Sequence, residues 1–457
     1  MEEIEIWSGL ECTLNRVRNR YFDQLEYTGH YKRGTADIDL IGTLGISRLR
    51  YPILWEKHQP QINTRIDWSF TRQNLDRLVA LNIKPIAGLV HHGSGPKYVN
   101  FFDGSFETGL AAYAEKVAQE FPWLEYYTPV NEPLTTARFC GLYGHWFPHG
   151  KSDYTFYKVL ISECKAIIMA MAAIKRIYPQ AKLIQTEDLA KTYSTPVLKY
   201  QADFENCRRW LSYDLICGRV DEAHPLRKHM LAAGIRVEEL DYFTTNNCPP
   251  QIAGFNYYIV SERYLDHVRS RYPRRLHGGN GRHRYADVEA VRVNMSEPTG
   301  AAVLLREAWE HVQLPLAVTE CHLHCTSDEQ ARWFHCMWNT VRSLQKEGVD
   351  IRAITAWATF GLAGWDKLVK RPWGKYEPGV FDLSSGSPAL TAIADLIPRL
   401  GRYENMHDLK NGNSGWWERP DRILYNQRMT KVLKDKKVVE ALTVKLPPSQ
   451  NRNRLVV

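Results

Sequence analysis

Two glutamates stand where apolar, strand-like runs end: Glu132 in YYTPVNEPLTT (126–136) and Glu320 in LPLAVTECH (314–322). An acid at the end of a buried strand is unfavourable unless something uses it. Asn131, Glu132 and Pro133 also read as a helix start, since Asn caps helices and Pro suits the first turn. The two acids are 188 residues apart, so no local motif pairs them. A shared substrate would. Two carboxyl groups facing each other across a pocket suit glycosidic bond cleavage, in which one protonates the departing oxygen and the other attacks or stabilises an oxocarbenium-like carbon.

Positioning such a pair calls for a fold that gathers strand ends on one face. Eight runs qualify as strands: IEIWSG (4–9), SRLRYPILW (47–55), KPIAGLVHH (84–92), LEYYTPVN (124–131), AKLIQTEDL (181–189), QIAGFNYYIV (251–260), LPLAVTECH and IRAITAWATFG (351–361). Amphipathic stretches lie between them, at 72–82, 109–121, 163–178, 301–312 and 330–347. Strand then helix, repeated eight times, predicts an α/β fold, a (β/α)8 TIM barrel over residues 1–400. A doubly wound open sheet would show a glycine-rich phosphate turn after an early strand, and WSGLECT has no GxGxxG. Residues 401–457 form a C-terminal extension, with Trp416 and Trp417 expected to dock it and the last dozen or so residues expected to be disordered.

On a barrel, functional groups collect where strands end. Strand two offers Arg50, strand three His91 and His92, strand four Asn131 and Glu132, strand six Asn256 and Tyr258, strand seven Glu320 and strand eight Trp357. Arg50 and Tyr258 would keep one carboxylate ionised, while a less polar setting and a charged neighbour hold the other protonated. Asn131 would bind the sugar hydroxyl beside the reacting carbon. His91 reads as a ligand contact or a satisfied core histidine. Trp357 reads as a sugar platform or a core ring.

These strand ends resemble family 1 glycoside hydrolases in content and order, through LRYPILW, GLVHH, TPVNEP, GFNYY, VTE and the Trp of TAW. The resemblance implies Glu132 as general acid/base and Glu320 as nucleophile of a retaining mechanism on a β-linked glycoside, with transglycosylation open to the same covalent intermediate and no cofactor. At matching spacing Asn15 replaces the family's first-strand Gln, with Glu11 nearby as an extra acid, and His91-His92 replaces His-Trp. Cys321-His322 follows the nucleophile in place of Asn-Gly, and Gly364-Trp365-Asp366 stands where the family has a Glu-Trp pair for distal hydroxyls. The acid pair is kept and the sugar-recognition set is changed, which leaves a carbohydrate-binding pseudoenzyme of a polysaccharide or sugar-nucleotide pathway as the alternative. Within the family the chain is most similar to barrel segments upstream of sugar-nucleotide reductase domains, including YEPGVFDL and WWERPDR.

The chain has 44% hydrophobic and 24% charged residues, no apolar run long enough for a bilayer and no basic-then-apolar leader, so a cytoplasmic protein is expected. Nine cysteines then read as free thiols. CHLHC (321–325) overlaps the nucleophile strand, where a cation would neutralise Glu320, so no metal is expected. Residues 263–284 hold seven Arg and one acid, which reads as a solvated mobile loop or as an electropositive lid favouring an anionic carbohydrate. No nucleic-acid motif accompanies that charge.

Overall fold

The computed structural model describes residues 3–371, 374–402 and 414–425. Eight parallel strands close a barrel in chain order: β1 (Glu5–Gly9), β2 (Arg48–Pro52), β3 (Lys84–His91), β4 (Tyr126–Asn131), β5 (Lys182–Asp188), β6 (Ile252–Tyr257), β7 (Leu316–Cys321) and β8 (Ile351–Ala356). These segments are strands because both their faces are covered, and such strands read as near-continuous apolar runs. Trp7, Ile86, Tyr126, Ile184, Ala317 and Ala353 fill the barrel floor, and the outer faces join one large core under the helices. The fold is the TIM barrel that the strand–helix alternation predicts.

Helices α1 (Thr35–Gly42), α2 (Ser69–Ala80), α3 (Ser105–Glu120), α4 (Asp153–Ile177), α5 (Leu211–Ile216), α6 (Ala301–Val312), α7 (Ser327–Lys346) and α8 (Ala392–Gly401) surround the strands. Helix α4 starts ten residues before the amphipathic stretch at 163–178. Its start is set by a cap: Ser152 Oγ accepts from Thr155 N at 3.1 Å, and Thr155 Oγ1 accepts from Ser152 N at 3.2 Å.

The Arg-rich segment is built into a sheet rather than left as an irregular loop. Strands His277–Gly279, Arg284–Glu289, Glu262–Asp266 and Lys191–Ser194 lie side by side, the last two directly after β6 and β5. Arg263 donates to Asp287 at 2.8 Å and Arg271 to Asp266 at 3.1 Å, while Arg274, Arg275, Arg282 and Arg284 are exposed. In the extension, the Trp417 ring meets Trp333 of α7 at 5.0 Å, and the Arg292 guanidinium lies 4.0 Å from the Trp416 ring centre. The disorder expected of the last residues falls outside the described residues. Among the described residues, no helix is long and apolar enough to cross a membrane.

Candidate active site

Register brings the functional strand ends level. His91 of β3 pairs with Asn131 of β4, and Asn256 of β6 pairs with Glu320 of β7. Just past three strand ends the chain enters the left-handed region, at His92 (φ 54°), Glu132 (φ 47°) and Ala358 (φ 56°). A non-glycine residue held there costs about 1–3 kcal/mol, and such strain gathers at functional sites. A five-residue helix, Pro133–Ala137, does start there, but Asn131 does not cap it: Asn131 is the last residue of β4, and the strained Glu132 is the helix's flanking residue. Glu132 makes no cap bond. Glu187 of β5 serves the helix instead, accepting from Leu134 N at 2.8 Å and Thr135 N at 3.3 Å.

The two acids sit in opposite electrostatic settings. Arg50 Nη1 donates to Glu320 Oε1 at 2.8 Å and to the Thr319 carbonyl at 2.8 Å, and Tyr258 donates to Glu320 Oε2 at 2.5 Å. Burial pushes the Glu320 carboxyl up to about 7, with Arg50 pulling it down and Glu11 adding to the rise. Glu132 accepts from Asn256 Nδ2 at 2.6 Å and lies 3.7 Å from His92 Nε2. That imidazole is neutral, because burial and the Arg50 charge depress it to about 3. Burial, then the charges of Glu320, Asp188 and Glu187, hold the Glu132 carboxyl well above the usual range. Glu320 loses its proton first, since it alone of the two has a cation in contact.

The supporting residues form one connected set. Arg50 Nη2 donates to Asn131 Oδ1 at 2.6 Å and Thr186 Oγ1 to the same oxygen at 2.8 Å, which turns the Asn131 amide hydrogens outward, toward His91 Nε2 at 3.2 Å. His91 stacks on Trp357 at 5.5 Å and 11°, and the Arg50 guanidinium lies 4.4 Å from the Trp357 ring centre. Gly9 permits this: a Cβ there would meet Trp357 at 2.4 Å. The Trp357 indole donates to Glu11 at 3.1 Å. Trp365 meets the His92 ring at 5.5 Å, and Asn15 donates to the Val369 carbonyl at 3.1 Å.

The structure thus gathers Glu132, Glu320, Arg50, Asn131, Tyr258, His91, His92, Trp357 and Glu11. It turns Asn256 toward Glu132 and Thr319 rather than outward. Asp366 accepts from Lys375 N at 2.9 Å and closes its own loop. His322 and His324 both face Glu377, at 3.5 and 3.4 Å, and among the described residues no group of His, Cys, Asp or Glu is arranged to hold a metal ion. Sequence reasoning missed Glu187, Thr186, Trp146, Leu368 and Val369. The first two close β5, where the same strand-end rule could have found them.

The chain is a closed (β/α)8 barrel with one acid just past β4 and another in β7. Residues 13–374 match the model of Glycosyl hydrolase family 1, and the chain belongs to that family. Solved structures agree on the fold. The family 1 β-glucosidase of Thermotoga maritima superposes with a TM-score of 0.69 at 14% identity, covering 89% of this chain and 99% of that one. The same enzyme in complex with deoxynojirimycin gives 0.68 at 14% identity over the same shares of both chains. The AHE enzyme of Alicyclobacillus herbarius gives 0.67 at 14% identity, covering 82% of this chain and 88% of that one. No curated protein matches the chain by sequence.

Proposed function

We propose that the chain is a retaining β-glycosidase. Glu132 protonates the departing oxygen while Glu320 attacks the anomeric carbon to form a glycosyl-enzyme. Glu132 then takes a proton from the water that releases the sugar, and a second sugar in place of water gives transglycosylation. One observation carries this reading: Glu320 lies against Arg50 and Tyr258, while Glu132 lies against an amide and a neutral imidazole. That asymmetry supplies a nucleophile and an acid at one pH. Exposed Arg274, Arg275, Arg282 and Arg284, in the segment that follows β6, favour an anionic carbohydrate substrate. The likeness to barrels that precede sugar-nucleotide reductase domains points to work alongside that metabolism, in the cytoplasm.

Turnover of a panel of aryl β-glycosides tests the reading, with Glu320→Gly regaining activity in azide and releasing a β-glycosyl azide. A carbohydrate-binding pseudoenzyme is the second reading. What favours it is that Asn15 is bonded to the chain's own Val369 carbonyl. Wild-type protein that binds sugars and turns over neither the panel nor any oligosaccharide tried would favour it.

A further inference from the structure

A third carboxyl group is tied to the Glu320 site through one side chain, Trp357. Glu11 is buried and stands two residues past Gly9, which pairs with Arg50 in the barrel. Its Oε1 accepts from Thr13 N at 3.0 Å and its Oε2 from the Trp357 indole at 3.1 Å. Both oxygens are thus held as acceptors, the role of a carboxylate.

The Trp357 ring stacks on His91 at 5.5 Å and lies 4.4 Å from the Arg50 guanidinium, which donates to Glu320 at 2.8 Å. Its backbone N donates at 3.2 Å to the carbonyl of Cys321, the residue after Glu320. A Cβ on Gly9 would meet the ring at 2.4 Å, so Gly9, Arg50 and His91 close on it, and the Glu11 bond fixes the direction of its N–H edge.

Several titratable and charged groups bear on Glu320: Arg50 from β2, Tyr258 from just past β6, Glu132 from just past β4, and Glu11 and Cys12 from just past β1. Burial and the charges of Glu320 and Glu11 hold the Tyr258 hydroxyl and the Cys12 thiol well above their usual ranges, so both keep their protons. Burial keeps His91 and His92 neutral. Arg50 and Glu11 are left as opposed charges, the first lowering Glu320 and the second raising it.

Resting on the glycosidase reading above, we propose that Glu11 is a positioning residue for the nucleophile, holding Trp357 against Arg50 and setting its own charge against the arginine's. Glu320 is thereby kept a stronger base than the arginine alone would leave it.

The test is the titration of Glu320, read from the chemical shift of its labelled carboxyl carbon and assigned by the loss of that signal in Glu320→Gln. Glu11→Gln keeps the shape and one acceptor oxygen and removes the charge, whereas Glu11→Asp keeps the charge and shortens the reach to the indole. Glu11→Gln should lower the Glu320 midpoint, and the acid limb of kcat/KM with it, by about one pH unit, as loss of a neighbouring like charge does. Glu11→Asp should hold the midpoint near its wild-type value and lower kcat through the misplaced ring. A folded Glu11→Gln with an unmoved midpoint, or an equal displacement in Glu11→Asp, overturns the proposal. If wild type hydrolyses no glycoside, the glycosidase reading fails on its own, and the carboxyl titration still decides whether Glu11 acts on Glu320. If Glu11→Gln does not fold, the coupling is read from the other side, since it is reciprocal. In Glu320→Gln the Glu11 carboxyl, assigned by its contact with the Trp357 indole proton, should then titrate lower than in wild type. An unchanged Glu11 titration there sinks the proposal.

Discussion

Arg50 lies 2.8 Å from Glu320, and both side chains are buried at the barrel mouth. The pH dependence of catalysis follows from that pair. Glu320 must be ionised to attack, and burial holds it up at about 7 despite the arginine. The acid limb of kcat/KM should therefore fall near pH 7, with the alkaline limb set by deprotonation of Glu132 at higher pH. Arg50→Met removes the influence that lowers Glu320, so its acid limb should move upward. It should also lose about 3–5 kcal/mol of stability at alkaline pH, because an ionised Glu320 is left without its partner. A pH–rate series and denaturant unfolding measure both effects. A flat profile, or one unmoved by the substitution, would remove the assigned role of Glu320.

Glu132→Gln separates proton donation from the rest of the machinery. Loss of a general acid lowers the rate by about 10²–10⁴-fold when the leaving group needs a proton. Alkyl β-glycosides should show that full loss, and 2,4-dinitrophenyl β-glycosides much less in the glycosylation step. Pre-steady-state kinetics with the two leaving groups measures the contrast. Equal losses for both would argue that Glu132 only shapes the pocket.

The barrel was legible because parallel strands buried on both faces leave continuous apolar runs, and the placing of Glu132 and Glu320 was legible because both stand where such runs end. What each side chain touches was not. Asn256 and Asp366 have the right residue types to meet a sugar, yet one is turned to Glu132 and the other to its own loop. The Leu368–Val369 turn was hidden for another reason. Leucine and valine disfavour a left-handed backbone, and contacts remote in sequence, from Asn15 and Trp146, help to hold them there. The early start of α4 was hidden in a polar cap that an apolar pattern does not register.

Glu187 anchors the short helix that follows Glu132. Its oxygens accept from Leu134 N, Thr135 N, Thr135 Oγ1, Ser212 Oγ and Asp188 N, which fixes the short helix after Glu132. Its charge also helps to raise Glu132. Glu187→Gln keeps the shape and one acceptor oxygen, so the alkaline limb should move to lower pH with a modest loss in kcat. Glu187→Ala strands the Leu134 and Thr135 amides, at about 1–3 kcal/mol each, and should lower both Tm and kcat. An alkaline limb that stays put in Glu187→Gln would show that its charge does not reach the acid.

Glu163 of α4 is fully buried, and neither of its carboxyl oxygens has a hydrogen-bond partner among the described residues. Burial, reinforced by the charge of Glu187, holds its carboxyl well above the usual range. The folded value therefore exceeds the unfolded one, so the native state keeps this proton longer than the unfolded chain does. The stability it contributes is fully present below the unfolded value of about 4.3 and is lost as pH rises toward the folded one. Glutamine has nearly the same shape and cannot ionise. Glu163→Gln should therefore melt higher than wild type under alkaline conditions, with the gap shrinking as the medium is acidified below the unfolded value. Calorimetric melts across that range measure it. A gap that stays constant with pH would mean that Glu163 finds a compensating partner when it ionises.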